Sequence, residues 1–163
     1  MNRDLFLSIL AMDSYNRGYG QRISVRLPDT GMIGNAVIGQ ISDIRSNFPA
    51  KNAGFFASAY SWNGETIISY RGTDGLDDIL YGWTIGAGWT DQAQANLSIE
   101  FYKAATGLDP FSSTAPTSIT LTGHSLGGGL AGFVSMISGA EAVLFDHMPF
   151  AAANDNSALE HAA

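Results

Sequence analysis

The sequence predicts an α/β fold: a mostly parallel sheet carrying one antiparallel hairpin, with helices packed on it. Three observations lead there. Asn63-Gly64 stands between two runs rich in aromatic and β-branched residues, the mark of a two-residue hairpin. Asp91–Thr106 repeats apolar residues at helical spacing. From Ser118 to Asp146 a β-branched run, a helical run and a second β run follow one another. That order is a βαβ unit, so its two strands should be parallel.

Composition frames this reading. A chain of 163 residues suits one domain, residues 1–163, complete or partial. Hydrophobic residues reach 45% and charged residues only 14%, which excludes a disordered chain. The net charge is −7 and the eight basic residues are scattered. That leaves no cluster to meet nucleic acid and no special attraction to anionic lipid. With no cysteine, disulfides, thiolate catalysis and cysteine-held metal are excluded.

The elements follow in order. Arg3 to Tyr15 reads as an amphipathic helix with Leu5, Ile9 and Met12 on one face and Asp4 in its first turn. Asp4 and Asp13 fall where a secretory signal needs a basic start and a cleavage site, so a first helix is the better reading. The compartment stays open, cytoplasmic or exported without such a signal. No apolar run approaches the ~20 residues of a membrane span. Residues 16 to 35 read as loop, with a short strand at Ile23 to Arg26, and Ala36 to Ser42 as a strand. The hairpin strands cover about residues 55–62 and 65–71. Ala93, Leu97, Phe101 and Ala104 line the 91–106 helix, and Gly107 is its natural C-cap. The tail from Ala151 is small and polar, a frayed end or a short helix.

Gly123-His124-Ser125-Leu126-Gly127 fits G-x-S-x-G, the nucleophile elbow, with a β run before it and a helix after it. A serine on such a turn projects its Oγ above the sheet edge. The residues two before and two after must be small, because strand and helix backbones nearly collide there. The Leu126 amide at the helix start is a donor for an oxyanion. Gly128 and Gly132 let the helix approach the sheet. Upstream, Ile67 to Gly75 is a strand ending in Arg-Gly-Thr. Taken alone, "RGTD" also fits an ordinary strand end with Asp74 capping the next helix.

Together, "YRGTD" and "GHSLGG", with the order hairpin, RGT, helix, strand, elbow, helix, strand, resemble the class 3 lipase family of α/β-hydrolases. The resemblance covers about residues 36 to 150. It looks more like the bacterial lipase-like relatives than the fungal enzymes, with Tyr70 where the family usually has Phe. It implies an α/β-hydrolase-like fold, shortened at its C-terminus, and a lipase or esterase acting on lipid or small-molecule carboxylic esters. Ser125 would be the nucleophile and Thr73 the second oxyanion-hole residue, beside Leu126. Arg71 and Gly72 would shape that loop, Arg71 structurally. The chemistry requires neither metal nor organic cofactor. The family's lid position holds Asp74 to Trp89, where Leu76, Ile79, Leu80 and Trp83 make one apolar face. A lid over an acyl site and a helix packed on the core are both open. Asp74, Asp77 and Asp78 match no calcium-loop spacing, and acids suit a first helical turn.

The base is the weak point. Triad order in this fold is serine, acid, histidine, yet only three histidines exist and 38 residues follow Ser125. In the resembled family the acid and histidine lie on later strands. His124 adjoins the nucleophile, and successive side chains point apart. His147 lies too close to Asp146 in sequence to bridge it to Ser125. Asp146 at a strand end is the candidate acid, and His161, with loop length behind it, the candidate base. The alternative is a catalytically incomplete hydrolase fragment or pseudoenzyme that binds a ligand or a partner chain. Such a shortened sheet is expected to self-associate through an open edge.

Overall fold

The computed structural model describes residues 2–17, 31–41, 53–72 and 87–147. Helix α1 (Arg3–Asp13) runs into a 3₁₀ turn (Ser14–Asn16). Strands β1 (Met32–Ile33), β2 (Ala36–Ile41), β3 (Ala57–Trp62) and β4 (Glu65–Tyr70) follow. Helix α2 (Ala87–Thr106), strand β5 (Ile119–His124), helix α3 (Leu126–Ser138) and strand β6 (Glu141–Phe145) complete the described chain. The strands form one sheet in sequence order, β1-β2-β3-β4-β5-β6.

The sheet is mixed, not mostly parallel: its first three pairings are antiparallel, and only β4–β5 and β5–β6 are parallel. Turn length explains two of the three antiparallel pairings. Two-residue turns join β1 to β2 and β3 to β4, and a turn that short can only reverse the chain. A helix precedes β5 and another precedes β6, which lets those strands return in the same direction. At the predicted hairpin Asn63 and Gly64 both take positive φ, 51° and 82°, as a type I′ turn requires. The pair β1–β2 lies partly in a segment that reads as loop. A two-residue strand is too short for periodicity to show.

Helices cover both faces. On one, α2 and α3 bury Ala95, Phe101, Tyr102, Leu130, Phe133 and Val134 against Ala57, Ala59, Ile68, Tyr70 and Leu121. On the other, α1 packs Phe6, Leu7 and Leu10 against Tyr60 and Ile67. Adjacent residues Ile67 and Ile68 thus serve opposite cores, as strand alternation demands. Each fully buried Phe or Leu of α1 contributes about 1.5–3 kcal/mol.

The buried stripe of α1 corrects the sequence expectation. Leu5 and Met12 are exposed, and the core face is Phe6, Leu7, Leu10 and Ala11. Both stripes satisfy helical spacing, and the one bearing Phe6 has more apolar area to bury. The helix starts as read: Asn2 caps it by accepting from the Asp4 amide at 2.9 Å. Gly107, at φ 71°, closes α2 through a bond from its amide to the Lys103 carbonyl. Tyr70, on the strand that leads to the site, donates to the Ser98 carbonyl of α2 at 3.0 Å. A Phe in that place would leave this acceptor without the hydroxyl. The short strand expected at Ile23 to Arg26, the lid segment up to Gly86 and the tail from Ala151 lie outside the described residues.

Candidate active site

Parallel pairing brings the C-terminal ends of β4, β5 and β6 to one edge of the sheet. Ser125 stands there, between β5 and α3, at φ 57° and ψ −127°. A residue with a Cβ rarely holds this conformation, and doing so costs on the order of 1–3 kcal/mol. Among the described residues only Asn63, Ser125 and Asp146 are non-glycines with positive φ. Asn63 belongs to the hairpin turn, so the other two concentrate strain at this one edge. Two backbone bonds hold the turn: the Ser125 amide donates to the Phe145 carbonyl at 3.2 Å, and the Gly129 amide to the Ser125 carbonyl at 3.1 Å.

The glycines around the turn are required by contact. A Cβ on Gly123 would lie 2.4 Å from the Gly127 carbonyl, and one on Gly127 would lie 2.2 Å from the Tyr70 carbonyl oxygen. Real Cβ atoms do not come that close to backbone, so strand and helix meet here main chain to main chain. A Cβ on Gly128 would fall 2.7 Å from the His147 Cβ. At Gly132 the nearest atom is the Leu144 Cδ1, 3.3 Å away, a side chain that can give.

Gly72, just after β4, is a point of close approach. The point its Cβ would occupy is 2.5 Å from the Tyr15 hydroxyl, 2.8 Å from the His124 carbonyl oxygen and 3.4 Å from the Leu126 amide nitrogen. Leu126 is the first residue of α3, and the first amides of a helix have no acceptor within it. The helix N-terminus therefore offers partial positive charge beside Ser125, suited to a developing oxyanion.

The N-terminal segment reaches this edge through polar contacts that no motif announced. The Tyr15 hydroxyl lies 3.1 Å from His124 Nδ1 and 3.3 Å from the His124 carbonyl oxygen. Below it, buried Asp13 pairs with Arg17 and accepts from the Tyr60 hydroxyl at 2.8 Å. Burial, then the charge of Asp13 and the hydrogen bond to it, hold the Tyr60 phenol far above its ordinary range. Arg71, 1% exposed, donates from Nη1 to the Arg17 carbonyl at 3.1 Å and lies over the Phe56 ring at 4.9 Å. Its guanidinium ties the end of β4 to the chain leaving the 3₁₀ turn.

The predicted site residues separate into two groups. Ser125, Leu126 and Asp146 share the edge, since the amide of Ser125 bonds to the residue before Asp146. Asp146 and His147 are exposed there. Thr73 and His161 lie outside the described residues. Sequence reasoning missed Tyr15, because a tyrosine at a helix end carries no recognisable pattern. Among the described residues no group of three His, Asp or Glu side chains could hold a metal ion. No described helix is long and apolar enough to cross a membrane.

Comparison with known proteins places the chain in a lipolytic family. The extracellular phospholipase A1 of Serratia liquefaciens is 30% identical over 144 residues, which cover 88% of this chain. The chain spans about two fifths of that relative's length, 41%. Residues 33–155 match the Tle-like phospholipase domain. That stretch contains β2 through β6, Gly72 and the elbow. The match supports a lipase-like family and does not single out the class 3 lipases. This chain belongs to the Tle-like phospholipase domain family.

Proposed function

We propose that this domain hydrolyses carboxylic esters of phospholipids through an acyl-enzyme on Ser125. The strained turn that presents Ser125 beside the Leu126 amide carries the reading. Ser125 Oγ attacks the acyl carbon and its proton passes to an imidazole. The carbonyl oxygen becomes an oxyanion, held by the Leu126 amide and, in this reading, the Thr73 amide. The imidazole then protonates the departing alcohol of the lysophospholipid, and water releases the fatty acid by the same route. His161 is the chain's candidate for that imidazole and Asp146 for its acid. Family membership supports a lipid ester as substrate. The order of the RGT and elbow motifs is that of the class 3 lipases.

The scarcity of histidines favours one rival, a domain with the oxyanion site but without an effective base, which binds a ligand or partner chain. A fluorophosphonate probe separates the two. Rapid stoichiometric labelling, lost in Ser125→Ala, supports the hydrolase, as does release of fatty acid from phosphatidylcholine vesicles. Activity should fall by on the order of 10⁶-fold in that variant. No labelling of the unmodified chain at high probe concentration would overturn the hydrolase reading.

A further inference from the structure

We propose that Tyr15 is a positioning residue for the nucleophile turn, so that the N-terminal segment completes the site. The inference rests on the reading of Ser125 as nucleophile. The Tyr15 hydroxyl meets both the ring and the carbonyl of His124, the residue immediately before Ser125. One hydroxyl has one proton and accepting lone pairs. Both contacts are hydrogen bonds together when His124 carries its hydrogen on Nδ1. The ring then donates to the Tyr15 oxygen, and Tyr15 donates to the His124 carbonyl. The bonds fix the peptide plane between His124 and Ser125, and the φ of Ser125 begins at that plane.

The same hydroxyl packs close against Gly72, which the His124 carbonyl and the Leu126 amide also approach. Tyr15 thereby holds the end of β4 and the turn after β5 at one separation. Any oxyanion donor following Gly72 depends on that separation. Its own anchorage is firm: α1 buries Phe6, Leu7, Leu10 and Ala11, and Asp13, two residues before Tyr15, is fixed by Arg17 and Tyr60. Tyr15 does not touch the reacting atoms in this account and acts through His124.

Tyr15→Phe keeps the ring and removes only the hydroxyl. Labelling of Ser125 by a fluorophosphonate should slow about tenfold, with kcat on a short-chain ester falling alike and KM unchanged. Two further readouts need no turnover. Hydrogen exchange at the Ser125 amide, which bonds to Phe145, should accelerate by a similar factor, and the His124 ring signals should shift in the NMR spectrum. If the unmodified chain takes up no probe, the hydrolase reading fails, and the exchange rate and ring signals still decide the positioning role. Unchanged exchange at Ser125 overturns that role, as does unchanged labelling in a chain that is labelled. Should Tyr15→Phe destabilise the fold, His124→Ala removes the ring contact alone. Faster Ser125 exchange there supports the clamp, and an unaltered rate rejects it.

Discussion

The two ends of β4, β5 and β6 are built on opposite principles. At their C-terminal end the contacts are main chain to main chain, through Gly123 and Gly127. At their N-terminal end long charged side chains meet. Arg3 bonds Glu65 at the start of β4 and Glu141 at the start of β6, each at 2.8 Å, and Thr120 in β5 at 2.9 Å. Thr120 also donates to Glu65. Side chains have rotamers and can relax, whereas touching backbones have none. One end is therefore tolerant and the other is not, and the candidate chemistry sits at the intolerant end. Helix α1 spans the difference, with Arg3 at one end and Tyr15 beyond the other.

The severest way to break the contrast is to add one methyl group. Gly127→Ala would drive a Cβ into the Tyr70 carbonyl, and the strand and helix must part. A loss of about 3 kcal/mol or more is expected in urea unfolding. Gly132→Ala on the same helix should cost little, since only the Leu144 side chain must move. Equal losses at the two positions would remove the claim of backbone contact.

Next in size is Tyr60→Phe, which takes a donor from the buried Asp13 carboxylate beneath the site. The expected cost is about 1–3 kcal/mol. The variant also has a pH signature. Burial holds the Tyr60 and Tyr70 phenols above their ordinary value in the fold. Their folded pKa is raised, so their contribution is fully present below about pH 10 and is lost as pH rises beyond it. Tm should fall more steeply above pH 10 in the parent chain than in Tyr60→Phe. Parallel curves would place the proton elsewhere.

A smaller effect of opposite sign is expected at Ser125 itself. Ser125→Gly relieves the positive φ and should raise stability by about 1 kcal/mol while abolishing activity. A stability decrease would show that the hydroxyl, not the turn, governs this position. The smallest change belongs to the tolerant end. Arg3 and Glu141 are 36% and 57% exposed, so Arg3→Ala should cost less than about 1 kcal/mol, and less again in high salt.

How much was legible depended on how local each cause is. Asn63-Gly64, the Gly107 cap and the glycines of the elbow act within a few residues, and the sequence shows them directly. The parallel pairing of β5 with β6 followed from strand, helix, strand order. The balance of the sheet was misjudged, with one antiparallel hairpin expected and three antiparallel pairings present, because β1 is two residues long and its partner lies across a turn inside an apparent loop. The face of α1 was misread because two stripes fit one period, and only the sheet it covers decides between them. Tyr15, Asp13 and Tyr60 were invisible as a group: 47 residues separate Asp13 from Tyr60, and 109 separate Tyr15 from His124. Burial and distance assemble such a group, and neither is written in a motif.

The bond from the Ser125 amide to the Phe145 carbonyl also orders events in time. A ribosome delivers Ser125 before it delivers the strand that contains Phe145. Until β6 has been made and paired with β5, the turn lacks one of the two backbone bonds that hold it. The edge that holds the candidate serine is therefore completed from the C-terminal side, by the last described strand and not by the motif itself.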